Sequence, residues 1–148
     1  INQVRKAVEM TKKAGIEVHG FFILGNPYDT EETIQKTIDL AKDLNLDYVQ
    51  FSMMTPYPGT EVYDMAIQNK GIKLLTKDWS DFKRYGKPII ELPTVSSKRL
   101  EELHAKAYKE FYFRPKYYLK RILKTRPWHY HKLAYKGLSI FGFIKKSN

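Results

Sequence analysis

The sequence predicts an α/β fold: parallel strands about residues 16–24 and 47–53, followed by an α-helical basic tail. Three observations carry this reading. Two short runs are apolar and rich in β-branched and aromatic residues; an amphipathic helical pattern lies between them; and the charge changes abruptly near residue 98. Residues 1–97 hold 12 Lys and Arg against 13 Asp and Glu, net −1, while residues 98–148 hold 14 against 3, net +11. The basic character therefore belongs to the tail alone.

Taken in order, Ile1, Val4, Val8 and Thr11, with Ala7 and Ala14, recur at helical spacing, and Gly15 stands where a left-handed cap ends such a helix. The run Ile16 to Leu24 then reads as a strand buried on both faces, stopped by Gly25-Asn26-Pro27-Tyr28. Asp29 is expected to cap a second helix with Glu32 at its third position, and Ile34, Thr37, Ile38, Ala41 and Leu44 form its apolar face. After the turn Asn45-Leu46-Asp47, the run Tyr48 to Met53 is the second strand. Such a β-α-β unit with short connections requires parallel strands and a right-handed crossover.

Thr55-Pro56-Tyr57-Pro58-Gly59 turns into a short helix from about Thr60 to Asn69, closed by Gly71. Residues 72–96 show no clear element, and Asp78 to Phe82 reads as an aromatic-anchored loop. Ser96 and Ser97 can cap a helix with apolar positions Leu100, Leu103, Ala107 and Phe111, ending near Arg114-Pro115. Pro115 opens another helix through Leu119, Ile122 and Leu123, and residues 128–146 are expected to be helical in part. Two domains follow, residues 1–95 and 96–148.

Composition bounds the chemistry. With 148 residues, 43% hydrophobic and 14% aromatic, the chain can bury a core. It contains no cysteine, which excludes disulfides, a thiolate nucleophile and any cysteine-held zinc or iron-sulfur cluster among these residues. No apolar run reaches the roughly 18 residues that span a bilayer, and a cytoplasmic setting is expected. The start at Ile1 rather than methionine is what a segment of a longer polypeptide would show.

Both strands end in loops of similar build, Ile23-Leu24-Gly25-Asn26-Pro27 and Phe51-Ser52-Met53-Met54-Thr55-Pro56. In parallel α/β proteins ligands lie beyond the carboxyl ends of the strands, so these loops should face one site. Gly25, Pro27 and Pro58-Gly59 serve equally well as plain turn residues.

The stretch GFFILGNPYDTEETIQKTIDLAKDLNLDYVQFSMMTPYPGTEVYD resembles the fifth and sixth β-α units of the radical S-adenosylmethionine (SAM) partial barrel. The resemblance is to the cobalamin-binding class, of the anaerobic magnesium-protoporphyrin IX monomethyl ester cyclase type. AYKEFYFRPKYYLKRIL is similar to the helical extension after that barrel, and the similar regions cover most of residues 1–125. The resemblance implies that the chain is the C-terminal portion of a radical SAM partial TIM-type barrel with its extension. It places Ile23, Gly25 and Asn26 on one side of the SAM adenine and Phe51, Ser52 and Met53 on the other. The family's Gly-x-Ile-x-Gly-x-x-Glu-like pattern is matched at Ile23, Leu24 and Gly25, whereas Phe21 and Tyr28 stand where its outer Gly and Glu would be.

The family's chemistry rests on three cysteines that hold a 4Fe-4S cluster, and its cobalamin lies in a separate N-terminal domain. Neither is encoded here. The implied parent is thus an Fe-S oxidoreductase, cyclase or methyltransferase using SAM, a 4Fe-4S cluster and cobalamin, while this segment contributes part of the pocket and is inactive alone. Its partners would be the missing barrel half and cobalamin domain of its own polypeptide, and a small-molecule substrate.

The remaining candidates have plainer readings. His19 lies within a strand as a hydrogen-bonded core residue, His104 sits on the polar side of its helix, and His129 with His131 has the spacing of a weak surface metal site without a third ligand. No catalytic or metal-binding residue is assigned. In the tail, Lys and Arg alternate with Tyr108, Phe111, Tyr112, Phe113, Tyr117, Tyr118, Trp128, Tyr130 and Tyr135. That interleaving suits nucleic acid, an anionic membrane surface, or packing with a solvated basic face. Two strands are few for a self-standing sheet, so the segment alone should be poorly stable or form a homodimer through exposed strand edges.

Overall fold

The computed structural model describes residues 1–82, 86–115 and 117–119. The chain forms two compact units, Ile1–Phe111 and Tyr112–Asn148. The element order is α1 (Asn2–Lys13), β1 (His19–Leu24), α2 (Glu31–Asp43), β2 (Tyr48–Met53), α3 (Glu61–Ile67), β3 (Lys73–Leu74), a 3-10 turn at Trp79–Asp81, β4 (Ile90–Glu91) and α4 (Ser97–Tyr112).

β1 and β2 pair in parallel, with His19 opposite Tyr48 and the register unbroken to Leu24 opposite Met53. The ladder is anchored at both ends. Asp47 N–H donates to the Val18 carbonyl at 3.0 Å, and Met54 N–H donates to the Leu24 carbonyl at 2.8 Å. The Asp47 carboxylate, itself buried, accepts from Val18 N–H at 3.0 Å and from Lys12 Nζ at 3.2 Å. A buried carboxylate needs such donors, and these join the end of α1 to the start of both strands.

Side chains alternate across the pair, and one face is covered. Leu24, Val49, Phe51 and Met53 are buried with Ile34, Ile38 and Ala41 of α2 and Leu100, Leu103, Ala107 and Phe111 of α4. The rings of Phe22 and Phe51 lie 5.5 Å apart, and Tyr108 meets Phe51 edge-on at 5.5 Å. The four apolar positions expected of α4 are the four it buries. α4 belongs to the first compact unit up to Phe111.

Several expectations are corrected. β1 is not buried on both faces: Phe21 is 68% and Ile23 50% exposed, and the strand begins at His19 rather than Ile16. His19 is an exposed residue, its ring stacked on Phe21 at 4.5 Å, and not part of the core. Residues 72–96 are not featureless. β3 and β4 pair antiparallel, Lys73 with Glu91 and Leu74 with Ile90, and Ile72, Ile89, Ile90, Leu92 and Val95 are buried.

The cap of α2 is Thr30, not Asp29. Thr30 Oγ1 accepts from Thr33 N–H at 3.2 Å and Thr33 Oγ1 accepts from Thr30 N–H at 2.9 Å, a reciprocal box shifted by one residue. α1 buries none of its residues, so its apolar stripe is uncovered. The helix expected from Pro115 is seen at 115 and 117–119; the rest of the basic tail, with His129 and His131, lies outside the described residues.

Candidate functional site

The carboxyl ends of β1 and β2 lie side by side, because the parallel register brings Leu24 opposite Met53. The loops leaving them share one rim, as expected of a ligand site in a parallel sheet. The first loop is built by its own side chains. Asp29 Oδ2 accepts from Asn26 N–H at 2.8 Å and Gly25 N–H at 3.2 Å, and its Oδ1 accepts from Thr33 Oγ1 at 2.8 Å. Thr94 Oγ1 then donates to the Asp29 carbonyl at 2.6 Å, tying the segment before α4 to the same loop.

Gly25 has φ +84°, and a Cβ there would lie 2.8 Å from Leu100 Cδ2 and 3.3 Å from Ile90 Cδ1. The missing side chain makes room for the protein's own core rather than for a ligand. Tyr28 also has positive φ, at 68°, and its ring lies against Gly71, where a Cβ would come within 2.7 Å of it. Though 72% exposed, the Tyr28 ring thus lies over the chain just after α3.

The six residues assigned to the adenine pocket divide between the faces of the sheet. Ile23 and Ser52 are register partners on the open face, with Gln50 Nε2 donating to Ser52 Oγ at 3.4 Å. Asn26 sits at the rim, its Nδ2 donating to the Ile23 carbonyl at 3.3 Å. Gly25 is buried behind it. Phe51 and Met53 point the other way, into the core beneath the helices. The open face therefore presents His19, Phe21 and Ile23 from β1 and Tyr48, Gln50 and Ser52 from β2, a largely aromatic and apolar surface that also carries the polar groups of His19, Tyr48, Gln50 and Ser52.

Sequence reasoning missed three residues that shape this region. By sequence Asp29 suits a helix cap equally well, and Tyr108 and His104 belong to the basic, aromatic tail. Yet Tyr108 Oη accepts from Phe51 N–H at 3.1 Å and donates to the Phe51 carbonyl at 3.0 Å, and His104 Nε2 lies 3.0 Å from that carbonyl. His104 thus faces the sheet, not the polar side of α4. Its helical position, four residues before Tyr108 and one after Leu103, was the available signal.

Among the described residues no group of three or more His, Asp or Glu side chains is placed to hold a metal ion, and no helix is long and apolar enough to cross a membrane. The absence of cysteine from the whole sequence means that no thiolate-held cluster can be coordinated by this chain's own residues.

Fold and rim together define a parallel β-α-β segment of an α/β protein, with one sheet face left open among the described residues. Comparison with known proteins carries this further. The chain is 41% identical over 118 residues to an uncharacterized methyltransferase of Pyrococcus horikoshii, covering 80% of this chain and 25% of that protein. It is 28% identical over 114 residues to the anaerobic magnesium-protoporphyrin IX monomethyl ester cyclase of Rubrivivax gelatinosus, covering 76% of this chain and 19% of that one. Against the bacteriochlorophyllide d C-8(2)-methyltransferase of Chlorobaculum tepidum it is 30% identical over 77 residues, covering 52% and 17% respectively. No family model matches the chain. These homologues are of the radical SAM family, in line with the resemblance of the strand-helix-strand stretch. It spans a quarter or less of the length of these relatives.

Proposed function

We propose that residues 1–111 form the last part of the SAM and substrate chamber of a larger radical SAM enzyme, a cobalamin-dependent methyltransferase or cyclase. The observation that carries this reading is the unbroken parallel register of β1 and β2, which sets Ile23 beside Ser52 on a sheet face that no helix among the described residues covers. In a partial barrel that face is the interior, and the exposure of Phe21 and Ile23 is relieved by strands supplied from the rest of the polypeptide. A small-molecule substrate would meet the aromatic and neutral polar groups of the same face.

Of the candidate adenine contacts, Ile23, Ser52 and the Asn26 side chain fit, offering one half-exposed apolar surface and short polar groups. The N–H groups of Gly25 and Asn26 are already taken by Asp29, so the loop backbone is spoken for at those two positions. Phe51 and Met53 act behind the wall, by holding β2 against α4. SAM held there would supply radical chemistry, leaving methionine as the other product, given one electron from a cluster held elsewhere in the protein. Residues 1–148 by themselves would not cleave it.

The test uses the intact protein with its cluster. Ile23→Glu and Ser52→Glu place a carboxylate on the open face without disturbing the helix-covered core. Each should weaken SAM binding by tenfold or more in equilibrium dialysis while leaving the unfolding midpoint nearly unchanged. SAM affinity equal to wild type in both variants would remove this face from the cofactor site.

A further inference from the structure

We propose that Tyr108 and His104 of α4 stand in for a neighbouring strand, and so end the sheet at β2. The inference is independent of the cofactor reading. In a parallel ladder, alternate residues of a strand turn both N–H and C=O to one side. Tyr48 and Met54 donate toward β1, so Val49, Phe51 and Met53 turn their backbone groups to the outer edge of β2. An edge of this kind is a template for another strand.

At Phe51 that template is filled. The Tyr108 hydroxyl makes both bonds that a paired strand would make, accepting from Phe51 N–H at 3.1 Å and donating to Phe51 C=O at 3.0 Å. His104 Nε2, facing an oxygen that can only accept, donates the second bond to the same carbonyl at 3.0 Å. Thr55 Oγ1 donates to the Met53 carbonyl at 3.4 Å, one step along the same edge. The two rings also pack edge-on, 5.2 Å apart, and Tyr108 meets the Phe51 ring, so the hydroxyl is held in place by its own aromatic body.

The outer edge of β1 is built differently. Asn26 Nδ2 reaches the Ile23 carbonyl, but the N–H and C=O of Phe21 meet no partner among the described residues, and its side chain stands exposed. The sheet is closed at β2 and open at β1. A strand added to it goes beside β1.

Tyr108→Phe tests the seal in the intact protein, because it keeps the ring and its packing while deleting both hydroxyl bonds. By hydrogen exchange the Phe51 amide should exchange roughly five- to fifty-fold faster than in wild type, while the amides of Gln50 and Ser52, which face β1, change less than about twofold. The double variant Tyr108→Phe/His104→Ala should sediment as larger, concentration-dependent species than wild type. Leu100→Ala, which loosens α4 without touching the β2 edge, supplies the control for general destabilisation. An unchanged Phe51 exchange rate in Tyr108→Phe, wild-type sedimentation of the double variant, or equal association by Leu100→Ala would each overturn the proposal.

Discussion

Replacing Gly25 by alanine tests the construction of the rim at its tightest point. The residue has φ +84°, and the new methyl would stand 2.8 Å from Leu100 Cδ2. Left-handed backbone costs a residue with a Cβ about 1–2 kcal/mol. Forcing a methyl into a filled core costs about 1–3 kcal/mol more, and Leu100 is fully buried, so it has little room to turn aside. The sum is roughly 2–5 kcal/mol, measurable as a lower midpoint in urea with little change of slope. A double-mutant cycle divides the two parts. Leu100→Ala removes the clashing methyls and should return the steric share, so the pair should be less destabilised than the sum of the singles by about 1–3 kcal/mol. A cost for Gly25→Ala below about 1 kcal/mol, or strict additivity with Leu100→Ala, would refute the claim that this glycine is required by packing.

The other ends of the strands offer a second test: Asp47→Ala should destabilise by about 1–3 kcal/mol in the same assay, since it strips a buried acceptor from Val18 N–H and Lys12 Nζ. Glu110 gives a pH dependence. Burial raises its pKa, but hydrogen bonds from Lys42 at 2.6 Å and Gln35 at 3.3 Å, with the Lys42 and Lys106 charges, outweigh that and hold it below its ordinary value of 4.5. Its contribution is therefore present above pH 4.5 and lost as the pH falls through the lowered value, so acid unfolding curves of wild type and Glu110→Gln should converge below that range. At the surface, Arg99 grips both oxygens of Glu31 at 2.9 and 2.8 Å. Arg99→Ala should shift the midpoint far less than Gly25→Ala, and the shift should shrink in 1 M salt.

What the sequence made legible was periodic. The helical spacing of Leu100, Leu103, Ala107 and Phe111 gave the buried stripe of α4, and the strand-helix-strand rhythm gave a parallel pair with adjacent exits. What it hid was decided by neighbours. Ile16 to Leu24 is apolar almost throughout, so its pattern could not reveal that Phe21 and Ile23 face away from the helices. Asp29 and Thr30 are both good caps, and only the loop's demand for an acceptor at Gly25 and Asn26 assigned them different tasks. β3 and β4 are two residues each and about fifteen residues apart, too short and too distant for any local signal.

The same logic explains why the site residues read from the sequence fell on opposite sides of the sheet. Resemblance identifies a strand end as a unit, and Phe51, Ser52 and Met53 come together as a string. The period of two in a strand then sends the middle one to the open face and its neighbours into the core. Only residues of one parity can touch a ligand on that face, which leaves Ile23 and Ser52, while those of the other parity take up the helices. Leu24, Phe51 and Met53 do so as core residues, and Phe51 adds a peptide group that α4 holds through Tyr108 and His104. A substitution at an even step from Ser52, such as Gln50→Glu, should therefore act on whatever occupies the open face. One at an odd step, such as Phe51→Ala, should first cost about 3–5 kcal/mol of stability, and any loss of binding would follow from that.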